Sequence, residues 1–143
     1  MINISRKEII VIPKSLRRWF VIHFLVDMVA AIPLFLMPET ILDYFNYNQI
    51  DPLMTRLFAA ALFGIGIESL LGRNAALETF KNMLNLKIIW SIFAILGIGL
   101  TIYQSNNHNN IIAWLGLIIF LIFNFIWVYW KYYLSKYSQQ KSQ

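Results

Sequence analysis

The sequence predicts an all-α membrane protein, a bundle of four transmembrane helices with its N and C termini on the cytoplasmic side. Three observations carry this expectation. Hydrophobic residues make up 59% of the chain and charged residues only 13%, whereas soluble domains carry about 25% charged residues. Four long apolar runs are each continuous rather than alternating. The segments that connect those runs carry lysine and arginine on one side only, with the loops on the other side free of both. With 143 residues, the chain has the length of one compact domain.

A hydrocarbon core about 30 Å thick needs roughly 20 mostly apolar residues in a helix. Segments 16–37, 53–71, 84–103 and 111–133 meet that requirement. Backbone polar groups in lipid must be satisfied within the segment, which makes helices the expected form. A cleaved signal peptide is the rival reading of the first run, given Lys14, Arg17 and Arg18 ahead of it. The run is longer than a signal's apolar region, contains His23 and Asp27, and precedes no small-x-small cleavage site. A retained helix is therefore expected.

Punctuation supports these limits. Pro38 follows the first run, Asp51-Pro52 precedes the second, and Gly72 and Asn74 follow it in the manner of C-terminal caps. Residues 104–110 read as a polar turn. Residues 38–47 read as a short amphipathic helix on the outer surface. Residues 2–12 read as an interfacial helix or strand, and 138–143 as a frayed tail.

Orientation follows from the flanks. Arg6, Lys7, Lys14, Arg17 and Arg18 precede the first span, Arg73 and Lys81 separate the second and third, and Lys131, Lys136 and Lys141 follow the fourth. The two remaining loops hold no lysine or arginine. The basic side is expected to be cytoplasmic and the protein to be a multi-pass protein of the cell membrane. Trp19, Trp130, Tyr132 and Tyr133 mark the boundary as an aromatic belt does.

Composition narrows the chemistry. Cysteine is absent, which excludes disulfides, thiolate metal sites and cysteine redox reactions. The net charge of +5 comes from residues at helix ends, so no nucleic-acid partner is expected. No phosphate-binding or dinucleotide loop occurs. Ser69 and Ser91 lack a nucleophile signature, His23 and Asp27 are too few for a metal site, and no cofactor is expected. Asn3-Ile4-Ser5 matches a glycosylation sequon on the wrong side of the membrane.

The candidate site consists of ionisable residues inside the spans, where a charge is costly and marks a function by default. These are His23, Asp27, Arg56 and Glu68, with Lys87 and Asn124 as contributors. His23 and Asp27 share a face at i and i+4, with Asp27 near mid-membrane. Arg56, Ala60, Gly64 and Glu68 form an i, i+4 row expected to face the bundle through its small residues. In that arrangement Arg56 reaches toward Asp27, Glu68 lies level with His23 and Lys87, and Asn124 adds a hydrogen bond. The bland reading has Lys87 snorkelling to the interface, Arg56 snorkelling or forming a structural ion pair, His23 bonding helices together, and the glycines serving packing. Spans one and two then form the polar half, while three and four complete the bundle.

Residues 31–73 also carry Pro38, Asp51-Pro52, Arg56, Ala59-Ala60-Ala61 and Gly64-Ile65-Gly66. In these features the chain resembles the small four-helix membrane proteins of the DoxX-like kind. The resemblance implies a four-helix bundle and leaves the activity open. Three functions remain at this stage. The first is a non-enzymatic protein that binds a small molecule, a lipid or a partner through the buried cluster, as a homo-oligomer or complex subunit. The second is a small proton-coupled transporter using Asp27 or Glu68. The third is a membrane enzyme acting on a lipid or quinone, with His23 and Asp27 as acid and base.

Overall fold

A computed structural model describes residues 12–47, 51–104 and 110–140, the side chains of 137–140 excepted. All of its regular structure is helical: α1 (Lys14–Leu36), α2 (Pro38–Tyr44), α3 (Pro52–Leu71), a 3-10 turn (Gly72–Asn74), α4 (Leu77–Gln104) and α5 (Ile111–Gln140). Four of these helices are long and apolar enough to cross a membrane. The shortest of the four, α3 with 20 residues, is about 30 Å long at 1.5 Å per residue, which matches a hydrocarbon core.

Local sequence sets the helix limits. The Asp51 carboxylate accepts a hydrogen bond from the Met54 backbone N–H at 3.0 Å, and Pro52 occupies the first helical position. Those are the two signals that start α3. Gly72 follows α3 in right-handed backbone geometry, so the helix tightens into the 3-10 turn rather than reversing through a left-handed glycine. The short helix expected after Pro38 forms over Pro38–Tyr44, with Leu42 buried.

Two helices outrun the spans read from hydropathy. α4 begins at Leu77 rather than near 84, and α5 continues to Gln140 rather than ending near 133. Phe80 and Met83 supply the reason at the first of these ends. They are buried in the core although Glu78 and Lys81 beside them are polar, and that ion pair closes at 3.0 Å on the same turn. Hydropathy measures the apolar stretch, whereas a helix continues wherever one face still packs. α5 also takes in 138–140, part of the expected frayed tail. The expected interfacial segment 2–12 lies outside the described residues except for Ile12, which is buried. Positions 105–109 of the expected turn and residues 141–143 also lie outside them.

The helices pair as α1 with α3 and α4 with α5. Arg17 meets Arg73 and Asn74, Gly66 abuts Asp27, and Arg56 meets Phe35, so α1 and α3 run antiparallel. Asn124 meets Ser91 while Gly116 faces Ile98, so α4 and α5 also run antiparallel. One apolar core, built on Leu16, Phe20, Phe80, Leu84, Trp127 and Leu134, joins α1, α4 and α5. A second, of Ala31, Ala59 and Leu62, joins α1 to α3. Large apolar side chains such as Val29, Phe93 and Phe125 cover the outside, a surface that lipid satisfies and water does not.

Candidate functional site

Between the two apolar cores lies a layer of polar side chains. On α1 the buried positions are Leu16, Phe20, His23, Asp27 and Ala31, spaced three or four residues apart. His23 and Asp27 therefore continue the same inward stripe as the core residues. On α4 the buried set is Phe80, Met83, Leu84, Lys87, Ile88 and Ser91. Lys87 falls on that stripe, one turn beyond Leu84.

Lys87 is 3% exposed, Asp27 6% and His23 9%. A lysine side chain leans toward the N-terminus of its helix, which carries the ammonium of Lys87 to α1 and α3. Its Nζ donates to Ser69 Oγ at 2.6 Å and lies 3.2 Å from His23 Nδ1. It also sits over the rings of Phe20, at 5.2 Å, and Trp127, at 5.1 Å. These cation–π contacts give the desolvated charge a partial replacement for water. Phe123 and Trp127 meet the His23 ring edge-on, with centroids at 4.8 and 5.2 Å, which fixes the plane of the imidazole.

Asp27 completes the group. Its Oδ2 lies 2.8 Å from the same nitrogen, His23 Nδ1. That oxygen is buried yet has no well-aligned donor. The short distance is an electrostatic contact rather than a good hydrogen bond, since hydrogen bonds weaken steeply as they bend. Gly66 makes the approach of α3 possible: a Cβ there would stand 2.8 Å from the Asp27 Cβ and 3.1 Å from Oδ2.

A second chain of bonds extends the layer to α5. Asn124 Nδ2 donates to Ser91 Oγ at 2.7 Å, and Ser91 Oγ donates to the Lys87 carbonyl at 2.8 Å. Ser69 Oγ donates to the Ile65 carbonyl at 2.6 Å. Asn85 Oδ1 is a further buried oxygen without a partner.

Several sequence expectations are corrected here. Arg56 does not reach Asp27. It lies at the far end of α1, where Nε donates to the Phe35 carbonyl at 3.2 Å and Nη2 sits 3.8 Å from Glu39, with 43% of its side chain exposed. Glu68 lies level with Lys87, as expected, beside the Ser69 that Lys87 bonds, but its side chain is exposed and makes no hydrogen bond or ion pair to the cluster. Ala60 and Gly64 are also exposed, and the buried face of α3 is Ala59, Leu62, Gly66 and Ser69. At 3.6 residues per turn the two sets are centred about 160° apart. In a helix apolar all round, no polarity contrast marks the inner face, so the small-residue row was the wrong guide. Lys87 is buried rather than snorkelling, and Asn124 does contribute its hydrogen bond. The polar layer therefore draws on all four long helices, not on the first two spans alone.

Ser69, Ser91, Phe20 and Trp127 were not marked as site residues by the sequence, where the two serines appear only as unsupported nucleophiles. Their signal is the spacing: each falls three, four or seven residues from a core position on its own helix. Among the described residues no group of three or more His, Cys, Asp or Glu could hold a metal ion.

Comparison with family models, with curated proteins and with solved structures finds no match to this chain.

Proposed function

We propose that the protein is a multi-pass protein of the cell membrane, with both termini cytoplasmic, that binds a small polar-headed molecule or lipid at the His23–Asp27–Lys87 layer. One observation carries the reading: Asp27 Oδ2 is a buried oxygen without an aligned donor, and the His23 nitrogen it approaches also lies 3.2 Å from the buried ammonium of Lys87. Lys87 has three N–H donors and two polar partners, His23 and Ser69. Buried polar atoms are nearly always satisfied. A headgroup with both a donor and an acceptor satisfies both residues, while Phe20, Phe123 and Trp127 offer apolar walls. The orientation rests on the basic flanks, with Lys14, Arg17 and Arg18 at the start of α1 and Lys131 and Lys136 in α5. The resemblance to DoxX-like proteins belongs to the same reading and adds a bundle without an activity.

Native mass spectrometry of the full chain released directly from its membranes tests this. The wild-type protein is expected to retain a bound species of lipid or small-molecule mass. Asp27→Asn combined with Lys87→Met is expected to lower its occupancy about tenfold, equivalent to roughly 1.4 kcal/mol. Equal occupancy in both proteins, or no bound species in the wild type, overturns the reading.

A proton-coupled transporter is the second reading, favoured by His23 Nδ1 lying between an amine and a carboxylate inside the spans. Its carboxylate in the buried layer is Asp27, with Glu68 exposed on α3 as the alternative.

A further inference from the structure

We infer that Lys87, His23 and Asp27 form an intramembrane proton-exchange site, in which one proton is shared along Lys87 Nζ, His23 Nδ1 and Asp27 Oδ2. This rests on the same residues as the proposed binding layer, but not on any ligand.

The geometry forces a choice. His23 Nδ1 is 3.2 Å from Lys87 Nζ and 2.8 Å from Asp27 Oδ2. A ring nitrogen is a donor or an acceptor at a given moment, never both. If Nδ1 carries no proton, it accepts from the Lys87 ammonium, and its lone pair then faces the carboxylate of Asp27. If Nδ1 carries a proton, it serves Asp27, and an ammonium at Lys87 would face an N–H. Each arrangement satisfies one neighbour and leaves the other opposed.

Transfer of one proton relieves each conflict in turn. In the first state Lys87 is an ammonium, His23 is neutral with its proton on Nε2, and Asp27 is ionised. The Nζ–H bond breaks and an Nδ1–H bond forms. The second state then has a neutral Lys87 amine, an imidazolium and the Asp27 carboxylate. A small turn of the Asp27 carboxylate that aligns Oδ2 with the Nδ1–H bond, an alignment the 2.8 Å contact lacks as it stands, passes that proton to Oδ2 and gives the third, with all three groups neutral. The net charge is zero throughout, so the apolar surroundings do not oppose the movement as they oppose a new charge. No oxidant, reductant or metal takes part.

The surroundings isolate the exchange. From α5 the ring meets Phe123 and Trp127, which do not titrate. From α3 the neighbour is Ser69, a hydroxyl that accepts from Lys87; the acidic residue beside it, Glu68, is exposed. From α4 the charged group is Lys87 itself, and on α1 it is Asp27. Arg56 is bonded at the far end of α1. Three titratable groups on two helices are thus in contact in series, and Glu68 acts on Lys87 from outside only through its charge.

Magic-angle-spinning NMR of the full chain tests this, with 15N-labelled histidine and reconstitution in synthetic lipid without added ligand. The chain has two histidines, so a His108→Gln background leaves His23 as the sole reporter. At pH 7 the Nδ1 signal is expected between the protonated and unprotonated positions. Lys87→Met is expected to move it to the protonated position, because only Asp27 then claims it. Asp27→Asn is expected to move it to the unprotonated position, because Lys87 remains as donor. Each folded variant reports by itself, so loss of one leaves the other decisive. A folded variant whose signal stays at the wild-type position, or wild-type signal fixed in one form, overturns the shared proton. Because the readout is the position of a proton on Nδ1 and not the occupancy of a bound species, that result leaves the ligand reading untouched, and loss of the ligand reading leaves these spectra unchanged.

Discussion

His23 Nδ1 and Lys87 Nζ lie 3.2 Å apart although 64 positions separate the two residues along the chain. The contact ties α1 to α4, two helices whose backbones otherwise approach each other little, since the close backbone pairs are α1 with α3 and α4 with α5. Long side chains, not close backbones, join the two halves at this level: Lys87 reaches His23 and Ser69, while Phe20 packs against Phe80 and Trp127.

Replacement of Lys87 by methionine keeps much of the bulk and removes the ammonium that faces the Asp27–His23 pair. Breaking a buried charge set by removing one member costs about 3 kcal/mol. Thermal or denaturant unfolding of Lys87→Met in a fixed lipid or detergent is expected to show a loss of that order. Adding Asp27→Asn is expected to recover part of it, because the two changes remove opposite charges together. Strictly additive losses would show that the two residues do not interact.

Gly66 and Gly64 make a paired test of the α1–α3 contact. A Cβ at 66 meets the Asp27 Cβ at 2.8 Å, next to the main chain, where little can give; a Cβ at 64 meets nothing within 4 Å. Gly66→Ala is expected to cost about 1–3 kcal/mol, as overpacking does. Gly64→Ala is expected to stay within about 0.5 kcal/mol, as open surface changes do. Equal effects at both positions would refute this packing, as read by unfolding under one condition.

Arg56 is a half-exposed residue paired with Glu39, not a partner of Asp27. Arg56→Gln is therefore expected to change stability by less than about 1 kcal/mol. Its effect is expected to add to that of Asp27→Asn within about 0.5 kcal/mol. Coupling beyond that would put Arg56 back in the buried layer.

Asn124 links α5 to the Ser91 hydroxyl, which has its own carbonyl acceptor on α4. Asn124→Leu leaves no buried donor stranded on Ser91. The expected loss is about 0.6 kcal/mol, the average for a hydrogen bond between membrane helices. A loss above about 2 kcal/mol would give Asn124 a larger role than this bond.

Much of the fold is legible in the chain. The four long helices, the α2 segment after Pro38 and the Asp51-Pro52 start of α3 follow from apolar run length and capping chemistry, which are local properties. His23 and Asp27 are also legible as a pair, because four residues of separation fix a shared helix face. Their partner was not. Arg56 and Glu68 have the right charges, yet the buried cation is Lys87, which shallow depth had marked for the interface. The stripe from Phe80 through Leu84 and Lys87 to Ser91 was the available signal, and it outweighs depth because core packing rotates the whole helix together.

The sequence by itself therefore determined how many apolar helices there are and which polar residues lie within them. Only the tertiary structure decided which of those residues meet. In water, polarity contrast would turn each helix to a single face. In lipid the outer face is as apolar as the core, so rotation about the helix axis is left to contacts such as Gly66 against Asp27 and Trp127 against Phe20.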